Sequence, residues 1–167
     1  MKGKYTVRIL CNKDSWKAID LILPIQQREF GVPIQVADQP DLMNMEAYYQ
    51  EQGGNFWGAF DDEALVGTIG LLALGHKAGA IRKMFVKKEF RGKEKGIGQQ
   101  LLDQVLDYCK MKDIQDIYLG TVAQMHAAQR FYERNGFEKI DTARLPPYFP
   151  RMEVDNLFYH LTLNQSV

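Results

Sequence analysis

The stretch that decides the fold runs from Ala80 to Cys109. It opens as Ala80-Ile-Arg-Lys-Met-Phe-Val86, continues as Lys87-Lys-Glu-Phe-Arg-Gly-Lys-Glu-Lys-Gly-Ile-Gly-Gln-Gln100, and closes as Leu101-Leu-Asp-Gln-Val-Leu-Asp-Tyr-Cys109. Its first part has the apolar residues of a strand ending at Val86. Its last part spaces Ile97, Leu101, Val105 and Tyr108 or Cys109 as one face of a helix. The turn between them carries Lys87, Lys88, Arg91, Lys93 and Lys95 against Glu89 and Glu94, a basic surplus in a chain of zero formal net charge. A strand, a glycine-containing turn and a helix aim unpaired backbone N–H groups at an anion, because the first helical turn leaves its amides free and partly positive. Gly96 and Gly98 allow close backbone approach and unusual φ angles. The dinucleotide fingerprint is excluded, since Gln99-Gln100-Leu101-Leu102 follows with no third glycine and no acid ends a strand about twenty residues on. The phosphate loop of nucleotide hydrolases fails for want of Gly-Lys-Ser/Thr. A phosphate-bearing ligand held by backbone amides remains, beside the plainer reading of a helix cap and a solvated basic loop.

Working outward, Lys4–Leu10 alternates Tyr5, Val7 and Ile9 as a first strand. Asn12, Asp14 and Ser15 offer caps for a helix bearing Trp16, Ile19, Leu23 and Ile25, which Pro24 should bend or loosen. A second helix is expected from Pro40 to about Gln50. Asn55–Phe60 and Ala64–Leu74 form a hairpin around Asp61-Asp62-Glu63, and Gly75–Gly79 connects to the strand ending at Val86. After the long helix come a strand Asp116–Thr121, a helix from about Gln124 to Arg134, a strand from Phe137, a proline-rich loop Leu145–Pro150 and a last strand Val154–Leu163. The order β-α-α-β-β-β-α-β-α-β-β predicts an α/β protein with one mixed sheet and helices on its faces. A ligand at the carboxyl end of a central strand fits the general rule for such sheets.

At 167 residues, 46% hydrophobic and 25% charged, the chain is expected to form a single globular domain over 1–167. Balanced charge gives no argument for nucleic acid or an anionic membrane. The longest apolar run, Ala64–Leu74, is too short to span a bilayer, and no signal peptide is apparent. Two cysteines, Cys11 and Cys109, suit a reducing cytoplasm, the expected location.

Met84-Phe85-Val86, Arg91-Gly92-Lys93…Gly96-Ile97-Gly98, and Ala128-Gln-Arg-Phe-Tyr132-Glu-Arg-Asn-Gly136-Phe137 together resemble the GNAT superfamily of acyl-CoA-dependent N-acetyltransferases over essentially the whole chain. The segments Gln39–Leu42, Gly54–Trp57 and Leu145…Asp155 look like a bacterial subgroup. The resemblance implies a sheet splayed at strands 4 and 5. Met84, Phe85 and Val86 would bind the pantetheine arm and polarise the thioester carbonyl as an oxyanion device. Arg91, Gly92, Lys93, Lys95, Gly96, Ile97, Gly98 and Gln99 would hold the diphosphate, and Thr121 would face the cofactor across the splay. Tyr132 would protonate the departing coenzyme A thiolate; the alternative is a core aromatic beside Phe131.

Where many relatives carry a glutamate as base, this chain has Ala80. Glu29 is the substitute candidate for binding or deprotonating the amine, with a solvated loop acid as the alternative. The glycine loop is two residues longer than Arg-Gly-x-Gly-x-Gly, so either Arg91 or Lys93 takes the cation position. Met125 replaces an asparagine that bonds the pantetheine in many relatives. His76, His126 and His160 show no metal spacing, and no metal is expected. Cys109 reads as core, as do Phe56 and Trp57. Tyr48 and Tyr49 either line the acceptor side or pack a helix; the Leu145–Pro150 loop is a lid or a dimer contact. The resemblance thus implies acetyl transfer from acetyl-CoA to a primary amine, whether a small molecule, an amino acid or a protein lysine, in a monomer or homodimer. A catalytically idle acyl-CoA-binding sensor with the same fold is the other reading.

Overall fold

Two hairpins set the sheet. Strands β2 (Asn55–Asp61) and β3 (Ala64–Gly75) turn at Asp62–Glu63, and β3 turns into β4 (Ala78–Val86) at His76–Lys77. His76 and Lys77 both take positive φ, 55° and 56°, the backbone that matches the twist of paired strands. The segment expected as a connection, Gly75–Gly79, is therefore mostly strand. The computed structural model describes residues 5–163. The start of the first strand at Lys4 lies outside that range.

The seven strands run β1-β2-β3-β4-β5-β7-β6, with β1 at Thr6–Ile9, β5 at Asp116–Thr121, β6 at Glu138–Ile140 and β7 at Leu157–Thr162. The sheet is mixed, as expected: β4 and β5 are parallel and the other neighbours antiparallel. One face is covered by α4 (Ile97–Met111), whose stripe Ile97, Leu101, Val105 and Cys109 is fully buried against Ile69, Leu71, Ile81 and Ile117. The opposite face takes α1 (Ser15–Pro24), which lays Ala18, Ile19 and Ile22 against Phe56, Phe60 and Leu65. Each large side chain so buried contributes about 1.5–3 kcal/mol.

Four elements depart from the sequence pattern. Past Pro24 the α-helix gives way to a π-helical turn, Ile25–Glu29, closed by the Phe30 amide donating to the Ile25 carbonyl at 3.1 Å. Proline brings no N–H, so the ladder lengthens where its bond is missing. The expected helix from Pro40 to Gln50 is two single turns, α2 (Pro40–Met43) and α3 (Met45–Tyr48), broken at Asn44. There the Asn44 side chain accepts from the Ala47 amide at 3.2 Å and from Asn12 Nδ2 at 3.0 Å, so capping replaces continuation. The helix α5 begins at His126 rather than Gln124 and ends at Arg134, and β7 begins three residues later than expected.

Candidate active site

The site begins where β4 and β5 part. They pair only at Ala78–Asp116, Gly79–Ile117 and Ala80–Tyr118, after which β5 keeps its partner β7 through Thr121. On its other side β4 carries an extra residue: Arg82 faces Gly70 and Phe85 faces Thr68, leaving Lys83 and Met84 opposite Ile69 alone. Lys83 sits at φ 55°, and its carbonyl accepts from the Thr68 hydroxyl at 2.8 Å. A bulge of this kind bends a strand and re-aims its side chains. With the β5 pairing ended at Ala80, the edge of β4 facing β5 is open over Ile81–Val86.

Two cavities meet at this opening. The outer, about 770 Å³, runs from Met84, Phe85 and Val86 past Arg91, Gly92, Lys93, Gly96, Gly98 and Gln99, and along α5. The inner, about 100 Å³, lies between Arg82–Phe85, Leu119–Val122 and Met152–Asp155. Tyr132, Met84, Phe85 and Met125 line both.

Gly96 starts α4 at φ 67° and Gly92 stands at φ 120°, so the conformational demand falls on these two. Gly98 lies inside the helix. What it supplies is space, since a Cβ there would stand 3.6 Å from Met84 and 3.7 Å from Phe131 at the groove. The first-turn amides of α4 open on the groove, as phosphate binding requires. Ile97 offers only its amide, its side chain being buried in the core. Gln99 spends its side chain bridging Asp103 and Asn135 at 2.9 and 3.0 Å.

The basic side chains divide into engaged and open ones. Arg91 is fully engaged: its Nε donates to the Val86 carbonyl at 2.7 Å and its terminal nitrogens grip both oxygens of Glu29. Lys93 lines the groove, whereas Lys95 lies outside its lining. Arg130 and Arg134, one turn apart on α5, line it too. The sequence reading passed over this pair, although their spacing of four on a helix bearing Phe131 was the available signal.

Tyr132 is held by the Phe-Tyr-x-x-x-Gly-Phe segment. Gly136 takes φ 90° to end α5, which turns Phe137 back so that its ring lies 5.7 Å from that of Tyr132. Phe131 and Tyr159 stand at 5.8 and 5.9 Å. Its hydroxyl contacts Met84 Sδ at 3.7 Å, and burial raises its pKa well above the ordinary phenol value. Thr121, buried at the end of β5, faces the inner cavity and touches Met125 Sδ at 3.6 Å.

The candidate base, Glu29, ends the π turn at the groove. Its bonds to Arg91 hold its carboxyl below the usual range. A strong guanidinium partner makes a carboxylate a worse base. The acid that faces the inner cavity is instead Asp155, half-buried just before β7. Burial raises its pKa, opposed by the charges of Arg82 and Lys83.

Other residues fall away from the site. Tyr49 is buried with its hydroxyl on Asp41 at 2.6 Å, while Tyr48 is exposed. Phe149 packs with Ala80, Ile140 and Phe158, which anchors the proline-rich loop. Cys109 is a core residue, with burial raising its thiol to about 12. Among the described residues no three His, Cys, Asp or Glu side chains converge as a metal site would need, and no helix is long and apolar enough to cross a membrane.

A sheet opened beside a helix N-terminus, with a phenol at the fork, defines the acyl-CoA N-acyltransferase class of fold. The family model described as Acetyltransferase (GNAT) family matches residues 19–137, well over half of the chain. The chain therefore belongs to the GNAT acetyltransferase family. It is 41% identical to a solved acetyltransferase of the GNAT family from Staphylococcus aureus Mu50, with TM-score 0.91 over 96% of this chain and 99% of that one. It is 30% identical over 134 residues to N-acetylaspartate synthetase from Xenopus tropicalis, covering 77% of this chain and 48% of that protein. Spermidine N(1)-acetyltransferase from Thermoplasma acidophilum is 36% identical over 87 residues, 52% of either chain. The chain thus spans about half the length of these curated relatives.

Proposed function

We propose that this chain transfers the acetyl group of acetyl-CoA directly to a primary amine in a ternary complex, with Tyr132 as the acid. The observation that carries the reading is the Tyr132 hydroxyl at the junction of the two cavities, with a thioether as its hydrogen-bond partner. In this reading the outer groove holds the coenzyme. The α4 amides with Lys93, Arg130 and Arg134 neutralise phosphate, and the free edge of β4 from Met84 to Val86 orients the pantetheine and its carbonyl. Bound there, acetyl-CoA supplies an activated acyl carbon and a thiolate leaving group. Tyr132 stays protonated across the physiological range because burial disfavours its phenolate, so it has a proton to give the sulfur. The acceptor amine enters by the inner cavity. The names of the relatives, an N-acetylaspartate synthetase and a spermidine acetyltransferase, support an amine acceptor.

The test is Tyr132→Phe. Thiol release over an amine panel should fall by about 10²–10⁴-fold, the size of a general-acid contribution. The rise in melting temperature on adding acetyl-CoA should persist. Unchanged turnover removes Tyr132 from the mechanism. A wild-type chain that binds acetyl-CoA yet acetylates no amine is the sensor reading, which the loss of an acid at Ala80 favours.

A further inference from the structure

The inner cavity says what the acceptor carries, an inference that rests on the acetyl-transfer reading. Three charged side chains line it: Arg82, Lys83 and Asp155. Lys83 is already neutralised, its Nζ 3.3 Å from the buried Asp41 carboxylate, which also accepts from Tyr49. Arg82 and Asp155 are different. The Arg82 guanidinium donates to Met152 Sδ at 3.0 Å, a weak acceptor, and among the described residues no ion pair engages it. No ion pair engages Asp155 among them either, and no hydrogen bond ties down its carboxylate. Its Oδ2 lies against Gly120, where a Cβ would come within 2.6 Å. A side chain at position 120 would push the carboxylate out of this place at the mouth of the splay.

One unspent cation and one unspent anion therefore face a cavity of about 100 Å³, well below the roughly 300–1,000 Å³ of ordinary ligand pockets. A polyamine would ask for several carboxylates and be repelled by a guanidinium. A simple alkylamine or a lysine side chain would leave the guanidinium unused. Guanidinium and carboxylate pair in a fixed, two-pronged geometry.

We propose that the acceptor is a small amino acid, its carboxylate bound by Arg82 and its ammonium received by Asp155, which removes the proton before attack. Asp155 takes one proton from the ammonium and returns it to solvent. The freed nitrogen pair forms the C–N bond as the C–S bond breaks. Tyr132 gives its proton to the departing sulfur and regains one from the second N–H as the amide forms. The groups facing Asp155 are Arg82 and Lys83 on β4 and the Tyr132 phenol on α5. Burial raises its carboxyl's pKa, opposed by the charges of Arg82 and Lys83, and activity should fall on the acid side as it protonates.

The experiment compares amino acids with their own α-carboxamides, alongside spermidine and a lysine peptide, by thiol release with acetyl-CoA and product mass. At least one amino acid should exceed its carboxamide in kcat/KM by about 10²-fold or more. Arg82→Gln should erase that ratio by raising KM far more for the amino acid than for the carboxamide, and Arg82→Lys should keep part of it. Asp155→Asn should lower kcat about 10²-fold or more for both and remove the acid limb of the pH profile. The melting shift with acetyl-CoA reports folding of each variant. Carboxamides or spermidine turned over as well as amino acids, or Arg82→Gln weakening both acceptors alike, overturns the assignment and leaves acetyl transfer standing. Acetyl-CoA binding with no amine acetylated overturns the transfer reading and this one with it.

Discussion

At the scale of the residue, the two side chains given chemical work were unequally visible. Tyr132 belongs to a local motif in which Gly136 and Phe137 follow at fixed offsets, so sequence alone singles it out. Asp155 stands 73 positions after Arg82 in the chain, and only the closure of β7 onto β5 brings it to the cavity. No local spacing encodes such a meeting. Glu29 had the right charge and neighbourhood, but its partner Arg91 lies 62 residues away and was equally hidden. The buried Lys83–Asp41 pair gives a prediction on stability. Asp41→Ala should cost about 3–5 kcal/mol in denaturant unfolding, because it strands the lysine charge and the Tyr49 hydroxyl together. Replacing both charges by apolar residues should restore much of the loss. Equal losses in the single and double variants would mean that shape, not charge, holds that corner.

At the scale of the element, glycine acts in two ways in one turn. Gly96→Ala forces a Cβ into left-handed backbone at φ 67° and should destabilise the chain by about 1–2 kcal/mol. Gly98→Ala lies in helical backbone and should be neutral or stabilising by up to about 1 kcal/mol. Its methyl enters the groove beside Met84 and Phe131, so acetyl-CoA affinity should fall although the melting temperature does not. Calorimetric titration with acetyl-CoA and a melting curve separate the two effects; parallel changes in both would place Gly98 outside the phosphate cradle. Most elements could be read from the sequence because apolar spacing follows the backbone period. The helix after Pro40 could not, since Asn44 is captured by Asn12, a partner 32 residues away. The π turn was half visible: Pro24 announces a fault in the ladder, while the kind of fault depends on what packs beneath it.

At the scale of the whole molecule, the mixed sheet was legible from the alternation of strands and helices, and the splay was expected only through the family resemblance. No glycine or proline between Ile81 and Val86 marks the bulge; Lys83 adopts its strained φ because the surrounding fold holds it there. A global prediction concerns alkali. Burial raises the phenols of Tyr49 and Tyr132, and burial with the Glu133 bond raises Tyr159 to about 12. Below pH about 10 folded and unfolded chains hold these protons equally. Above it the unfolded chain sheds them first, so the unfolding free energy should fall as pH rises. Melting temperatures from about pH 9 to about pH 11 should drop steeply, and less so in Tyr159→Phe. A flat profile would mean that these phenols titrate freely.

The clasp of Arg91 on Glu29 and on the Val86 carbonyl has a kinetic consequence. One guanidinium ties the turn that walls the inner chamber, through Phe30, to the loop proposed to hold the phosphates of the coenzyme. Substrates should accordingly add in a fixed sequence, coenzyme first, with free coenzyme A competing against acetyl-CoA but not against the amine. In Glu29→Gln, where the clasp slackens, that compulsory order should relax toward random addition.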